Sequence, residues 1–158
     1  MKPDRLNSWL NLVANLGVIV GIVFLIVELD QTNRIARHTA EVGWSSQAIE
    51  INSNRIEYSD TYAKLQSAEV ELTSSERAQA LMMARQLFNF WDGAEVANEL
   101  GLISDATFER TMHDISVCLN EAPGLAPFFV YLLDAYQMDT ESSEVAKRVA
   151  IIVADANI

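Results

Sequence analysis

From Trp9 to Leu29 the chain reads WLNLVANLGVIVGIVFLIVEL, and between Leu10 and Val27 it carries no charge and only two amides, Asn11 and Asn15. A helix of these 21 residues is roughly 31 Å long, about the thickness of a bilayer's hydrocarbon core. The pattern predicts a transmembrane helix. A cleaved signal peptide fits less well. Lys2 and Arg5 resemble its basic start, but the apolar run is too long and VELDQTNRIARH follows it without a small-residue cleavage site.

No proline or turn cluster follows Leu29, so the helix is predicted to run on as a stalk over residues 30–57. Ile35, Val42, Ile49 and Ile56 recur every seven residues along it. Thr39, Ser46 and Ser53 leave the second seam of a coiled coil weak, so this apolar line is expected to pack against the following domain. Gly43 next to Trp44 marks a bend or a close contact.

Shorter segments follow. Ser59 opens a short capped helix that ends near Ser67. Thr73-Ser-Ser-Glu76 is a capping box ahead of the strongest soluble helix, which carries Ala80, Leu81, Ala84, Leu87, Phe88, Trp91 and Ala94 at helical spacing and stops at Gly101. Ser104 caps a helix over 105–119 with Phe108, Met112, Ile115 and Leu119 inward. After Pro123-Gly124, Pro127 suits the first turn of APFFVYLLDAYQM, a segment too short to span a bilayer, and a last helix covers 143–154.

The fold class predicted is all-α: a leader over 1–8, one N-terminal transmembrane helix over 9–29, a stalk helix over 30–57, and a compact bundle of four or five helices over 58–158.

Charge sharpens this picture. The chain's net charge is −11, and residues 30–158 carry 9 Lys and Arg against 20 Asp and Glu, again −11, so all of it lies outside the span. Nucleic acid and anionic headgroups are disfavoured partners. Lys2 and Arg5 on one side of the span nearly balance Arg34 and Arg37 on the other, with a slight lean toward a cytoplasmic N-terminus and a periplasmic bundle. Cys118 is the single cysteine, so no internal disulfide forms, and its apolar helical setting predicts a buried inert thiol.

On a helical projection Ala14, Gly17 and Gly21 fall within a sector of about 60°. Small residues let helices approach closely in lipid, where packing rather than hydrophobic force drives association, so this stripe is predicted to meet another transmembrane helix, from a second copy or from another protein. Asn11, Asn15 and Ser8 lie on a different face. Asn15 is the deepest of them, and its amide has most to gain from a hydrogen bond to a neighbouring helix.

Candidate chemistry is sparse. No P-loop, G-x-G-x-x-G or G-x-S-x-G motif is present, and no cofactor or metal site is predicted. Glu109 and His113, four positions apart with Asp114 next, present a carboxylate and an imidazole on one turn of helix, but a three-ligand site needs other groups, so His113 reads as a surface or partly buried histidine. Asp92, Glu95 and Glu99 form an acidic line that reads as a solvated face. The aromatic set Phe88, Phe90, Trp91, Phe128, Phe129 and Tyr131 fits a core and, as an alternative, the lining of an apolar ligand pocket.

WLNLVANLGVIVGIVFLIVELDQTN, the capped LTSSERAQ helix, the GLIS turn and the late APG turn together resemble a widespread set of small uncharacterised bacterial proteins with one N-terminal transmembrane helix and a helical domain. The resemblance implies a single-pass protein of the bacterial inner membrane and brings no activity with it. The expected function is a membrane-anchored interaction module, an accessory or assembly subunit of a larger membrane complex or a homo-oligomer. The alternative is a membrane-anchored helical sensor that binds a small apolar ligand.

Overall fold

The computed structural model describes residues 3–69 and 71–155. Lys2 and the side chains of Arg5 and Ser8 lie outside the described residues. The fold is all-α. Helix α1 (Pro3–Glu57) is followed by α2 (Ser59–Leu65), α3 (Ser74–Glu99), α4 (Asp105–Glu121), a 3₁₀ turn (Pro123–Leu125), α5 (Ala126–Ala135) and α6 (Glu144–Asp155). Two compact units emerge, divided after Thr39.

The first unit is helical and unpacked. Its stretch of α1 is long and apolar enough to cross a membrane, and none of that stretch is buried. The thirteen large apolar side chains between Leu10 and Val27 are all more than half exposed.

The second unit begins at Ala40. Helix α3 is its centre, in contact with α2, α4, α5 and α6, while α6 also packs on α4 and α5. Trp91, Ala80, Ala84 and Ala94 of α3 are fully buried, with Phe88, Met112, Ile115, Phe129, Leu132, Val145 and Val149 around them. Trp91 stacks on Phe129 with ring centroids 5.3 Å apart. Alanines at one face of α3 let the neighbouring helices come close, and the aromatic rings fill the remaining space.

The last turns of α1 belong to this unit, but the face they bury is not the seven-residue line. Val42, Ile49 and Ile56 are 52%, 67% and 77% exposed. Trp44, Ala48 and Ile51 pack on the core instead, about half a turn away. The indole decides the orientation, because it stacks on Phe90 at 4.5 Å and donates to Thr111. The indole brings a large flat apolar surface and a polar N–H that both find partners in this position. Gly43 makes no close contact and does not interrupt the helix, which continues through it with open space about its Cβ position.

Local signals set the remaining boundaries. The capping box forms as predicted, with Glu76 N–H donating to the Thr73 hydroxyl and Thr73 N–H donating to the Glu76 carboxylate. Gly101 adopts φ +66° and closes α3, with its N–H bonded to Asn98 O and the Leu102 N–H to Ala97 O. Ser104 caps α4 as predicted. Tyr58, not Ser59, stands at the α2 N-cap, and no side chain caps that helix. Helix α5 ends at Ala135 rather than running to Met138, because Gln137 takes φ 51° and repeats the closure of α3, its N–H bonded to Asp134 O and that of Met138 to Leu133 O. A glutamine there costs about 1–2 kcal/mol relative to glycine, which is why the sequence carries no stop signal at this point.

Glu95 is also structural. Its carboxylate accepts from the backbone N–H groups of Glu144 (2.7 Å) and Val145 (3.2 Å) and from the Ser143 hydroxyl (2.9 Å), so a side chain of α3 caps the start of α6. The acidic line is therefore not simply a solvated face. Negative charge at a helix N-terminus is favourable, which gives Glu95 a reason to be a carboxylate.

Gly124 is required by a close approach. A Cβ there would sit 2.7 Å from Ser67 O and 2.9 Å from Leu65 O, where the 3₁₀ turn crosses the end of α2. Gly124→Ala is expected to lower unfolding stability by about 1–3 kcal/mol. Gly93→Ala, whose Cβ meets only the Trp44 ring at 3.4 Å, should cost clearly less; urea unfolding of both variants checks the order. The Glu76 carboxylate, bonded to Lys64 Nζ and to the Thr73 N–H and hydroxyl, is lowered from 4.5 to about 2. A carboxylate lowered in the folded state stabilises above its unfolded pKa and loses that contribution as pH falls. Glu76→Gln should therefore show a shallower fall in melting temperature than the parent chain between pH 4.5 and about 2, measured by circular dichroism.

Candidate functional site

Each of the two units carries one candidate region. In the first, Ala14, Asn15, Gly17 and Gly21 all lie on α1 and are exposed. Ala14, Gly17 and Gly21 share one face, with Asn15 off it. Nothing lies within 4 Å of the Cβ positions of Gly17 and Gly21, so neither glycine is explained by packing inside its own chain.

In the second unit a cleft of about 550 Å3 opens between α1, α3 and α4. Helix α1 lines it with Glu41, Trp44, Ala48, Ile51 and Arg55 along one side. Leu87 and Phe90 come from α3, and Arg110, Thr111, His113, Asp114 and Val117 from α4. The apolar wall is fixed in place: the Trp44 ring lies against Phe90 with 22° between their planes, and its Nε1 donates to Thr111 Oγ1 at 3.3 Å. Thr111 in turn donates to Thr107 O at 3.0 Å, one turn back along α4.

Beneath this wall runs a chain of polar groups. Arg55 Nη2 donates to Cys118 Sγ at 2.8 Å, the thiol donates to Asp114 Oδ2 at 3.5 Å, and Trp91 Nε1 donates to the same oxygen at 3.1 Å. The Arg55 guanidinium also lies 5.4 Å over the Tyr62 ring. Burial pushes the Cys118 thiol up to about 12, so it stays protonated at neutral pH, in keeping with the inert thiol predicted. Trp91 and Asp114 join the hydrophobic centre to the cleft: the indole buries its body in the core and finds its one acceptor at the cleft's floor.

No family profile, no curated protein and no solved structure matches the chain. The cleft is therefore read from its own geometry.

The sequence-derived candidates divide. His113 and Asp114 do line the cleft, whereas Asp92, Glu95 and Glu99 do not. Burial and the neighbouring Glu95 push the Asp92 carboxyl up, an effect local to α3. Among the described residues no three His, Cys, Asp or Glu side chains gather as metal ligands. The aromatic set does not gather around one cavity: Phe128 and Tyr131 border a shallow groove with Arg77, Leu81 and Pro127, apart from the cleft. Phe88, Trp91 and Phe129 are packed core, Phe128 is half-buried, and Tyr131 is exposed; Phe90 alone of the six reaches the cleft.

Arg55, Arg110 and the Trp44–Thr111 pair had no part in the sequence reading. A signal existed: Trp44, Ala48, Ile51 and Arg55 step by three and four residues, the spacing of a face packed in a globular protein. The seven-residue repeat of branched side chains on the opposite face obscured it.

Proposed function

We propose that this protein is a membrane-anchored interaction module, in which one N-terminal span tethers a helical bundle and meets another transmembrane helix through Ala14, Gly17 and Gly21. One observation carries the reading. The thirteen large apolar side chains between Leu10 and Val27 find no cover within the chain. Leaving that surface in water costs on the order of 10–20 kcal/mol, as much as the whole stability of an ordinary domain. Lipid removes the cost, and 18 uncharged residues suit its thickness.

The bacterial inner membrane is the setting implied by the resemblance of the span and its turns to small single-pass bacterial proteins. The near balance of Lys2 and Arg5 against Arg34 and Arg37 leans toward a periplasmic bundle. A glycine stripe offers a neighbouring helix close backbone approach, and Asn15 offers an amide hydrogen bond worth on the order of 1 kcal/mol. The partner is a second copy or a subunit of a membrane complex, and a bundle whose conspicuous features are packing and caps suits an accessory or assembly role.

Gly21→Leu places a branched side chain on the stripe. In mild detergent it should reduce the mass of the native particle or release a protein that co-purifies with the parent chain, as read by native mass spectrometry. Unchanged mass and composition would show that the stripe is not an interface.

A further inference from the structure

We infer that the cleft between α1, α3 and α4 binds an elongated organic monoanion with an apolar body, a medium-chain carboxylate being the type. The inference goes beyond the anchoring proposal and does not depend on it. A volume of about 550 Å3 lies within the usual range for small-molecule sites. Trp44 and Arg55 stand eleven positions apart on the same side of α1, which separates their backbones by roughly 16 Å. Ala48, Ile51 and Val117 supply apolar surface within the same cleft. That shape suits a rod with one charged end rather than a compact polar molecule.

Arg55 supplies the reason for the charge. Its guanidinium is half-buried and carries five N–H donors. Among the described residues its side chain makes one hydrogen bond, to a protonated thiol, and no carboxylate stands within 4.0 Å. Among the described residues Arg77, Arg85 and Arg110 of the same unit also lack an ion pair but are exposed to water, whereas Lys64, Lys147 and Arg148 are paired with Glu76 or Glu144. A cation drawn out of water and joined to a neutral acceptor gains from an anion delivered to its remaining donors, and its planar fork matches a carboxylate.

The other charges on the lining do not fill that place. Asp114 lies near enough to favour the charged Arg55 electrostatically, but it turns Oδ2 to Trp91 and Cys118 and forms no ion pair with the guanidinium. Glu41 is exposed and lies fourteen positions before Arg55 on α1. Arg110 and His113 are exposed cationic or neutral groups that do not repel an anion. The unit as a whole is acidic, with seven Lys and Arg against nineteen Asp and Glu from residue 40 onward, or −12. An anion is therefore repelled at long range and held only at short range, by Arg55 with Arg110 on the same lining.

Octanoate and its neutral isostere octanamide are the probes, titrated into the full chain in lipid nanodiscs. The readout is the indole N–H resonances of Trp9, Trp44 and Trp91. Octanoate is expected to shift the Trp44 resonance saturably and about tenfold more tightly than octanamide, the scale of one charge-assisted hydrogen-bonded contact. Arg55→Gln should bring octanoate to the octanamide level while leaving octanamide unchanged. Ser45→Phe, on the exposed rim, should weaken both, and its hydroxyl is bonded only to its own helix at Glu41 O. Should Arg55→Gln fail to fold, the comparison of the two probes and the Ser45→Phe variant still decide. Equal affinities for octanoate and octanamide would overturn the inference. So would a Trp44 resonance that neither probe moves, or shifts at Trp9 that track those at Trp44, as simple partition into lipid would give.

Discussion

Apolar surface without cover is the constraint on which everything else in this protein depends. A small domain is stable by some 5–15 kcal/mol, and the side chains between Leu10 and Val27 would forfeit a comparable sum if left in water. The bundle offers no compensation, since its core is already closed around Trp91 and α3. The proposed bilayer setting removes the conflict, and in that setting the features of α1 that make no sense in water acquire roles. In the proposed contact with another helix, the two glycines with empty space around them allow close approach, and Asn15 offers its amide.

The bundle answers a different problem, that of ordering six short and long helices with few turn residues to spare. Its joints are hydrogen-bonded rather than flexible. Thr73 and Glu76 cap α3, Gly101 closes it, Ser104 opens α4, and Glu95 reaches across from α3 to cap α6. The C-terminal part of α1 joins this unit through the Trp44 indole, stacked on Phe90 and bonded to Thr111, with Ala48 and Ile51 packed on the core and Arg55 bonded to Cys118. Because Trp44 sits on the rim of the core rather than in it, a cleft is left along α1, with Arg55 in its lining.

Much of this was legible in the chain. Capping boxes and αL glycines act over four or five residues, so Thr73–Glu76, Ser104 and Gly101 could be placed from sequence alone. The inward positions of α3 and α4 follow a period of 3.6, and they too were readable. What escaped depended on contacts far apart in sequence. Glu95 looks like a solvated acid until Ser143, 48 residues further on, and the first N–H groups of α6 just after it are seen to meet its carboxylate. Gln137 ends α5 in a conformation that its residue type disfavours. Two apolar lines compete along α1, and the Trp44 face is buried rather than the Val42–Ile49–Ile56 line because Phe90 and Thr111, far off in sequence, receive the indole. The cleft was missed for the same reason: its lining comes from three helices, and its aromatic residues were expected to cluster elsewhere.

The central claim is that residues 10–27 lie in lipid while the unit beginning at Ala40 lies in water. Nitroxide labels attached through Val20→Cys and, separately, Ser46→Cys, each in a Cys118→Ala chain reconstituted in bilayers, test it by power-saturation electron paramagnetic resonance. At position 20 collisions with dissolved oxygen should outweigh those with a water-soluble nickel chelate, and at position 46 the order should reverse. Equal access of the nickel chelate to both positions would contradict the claim.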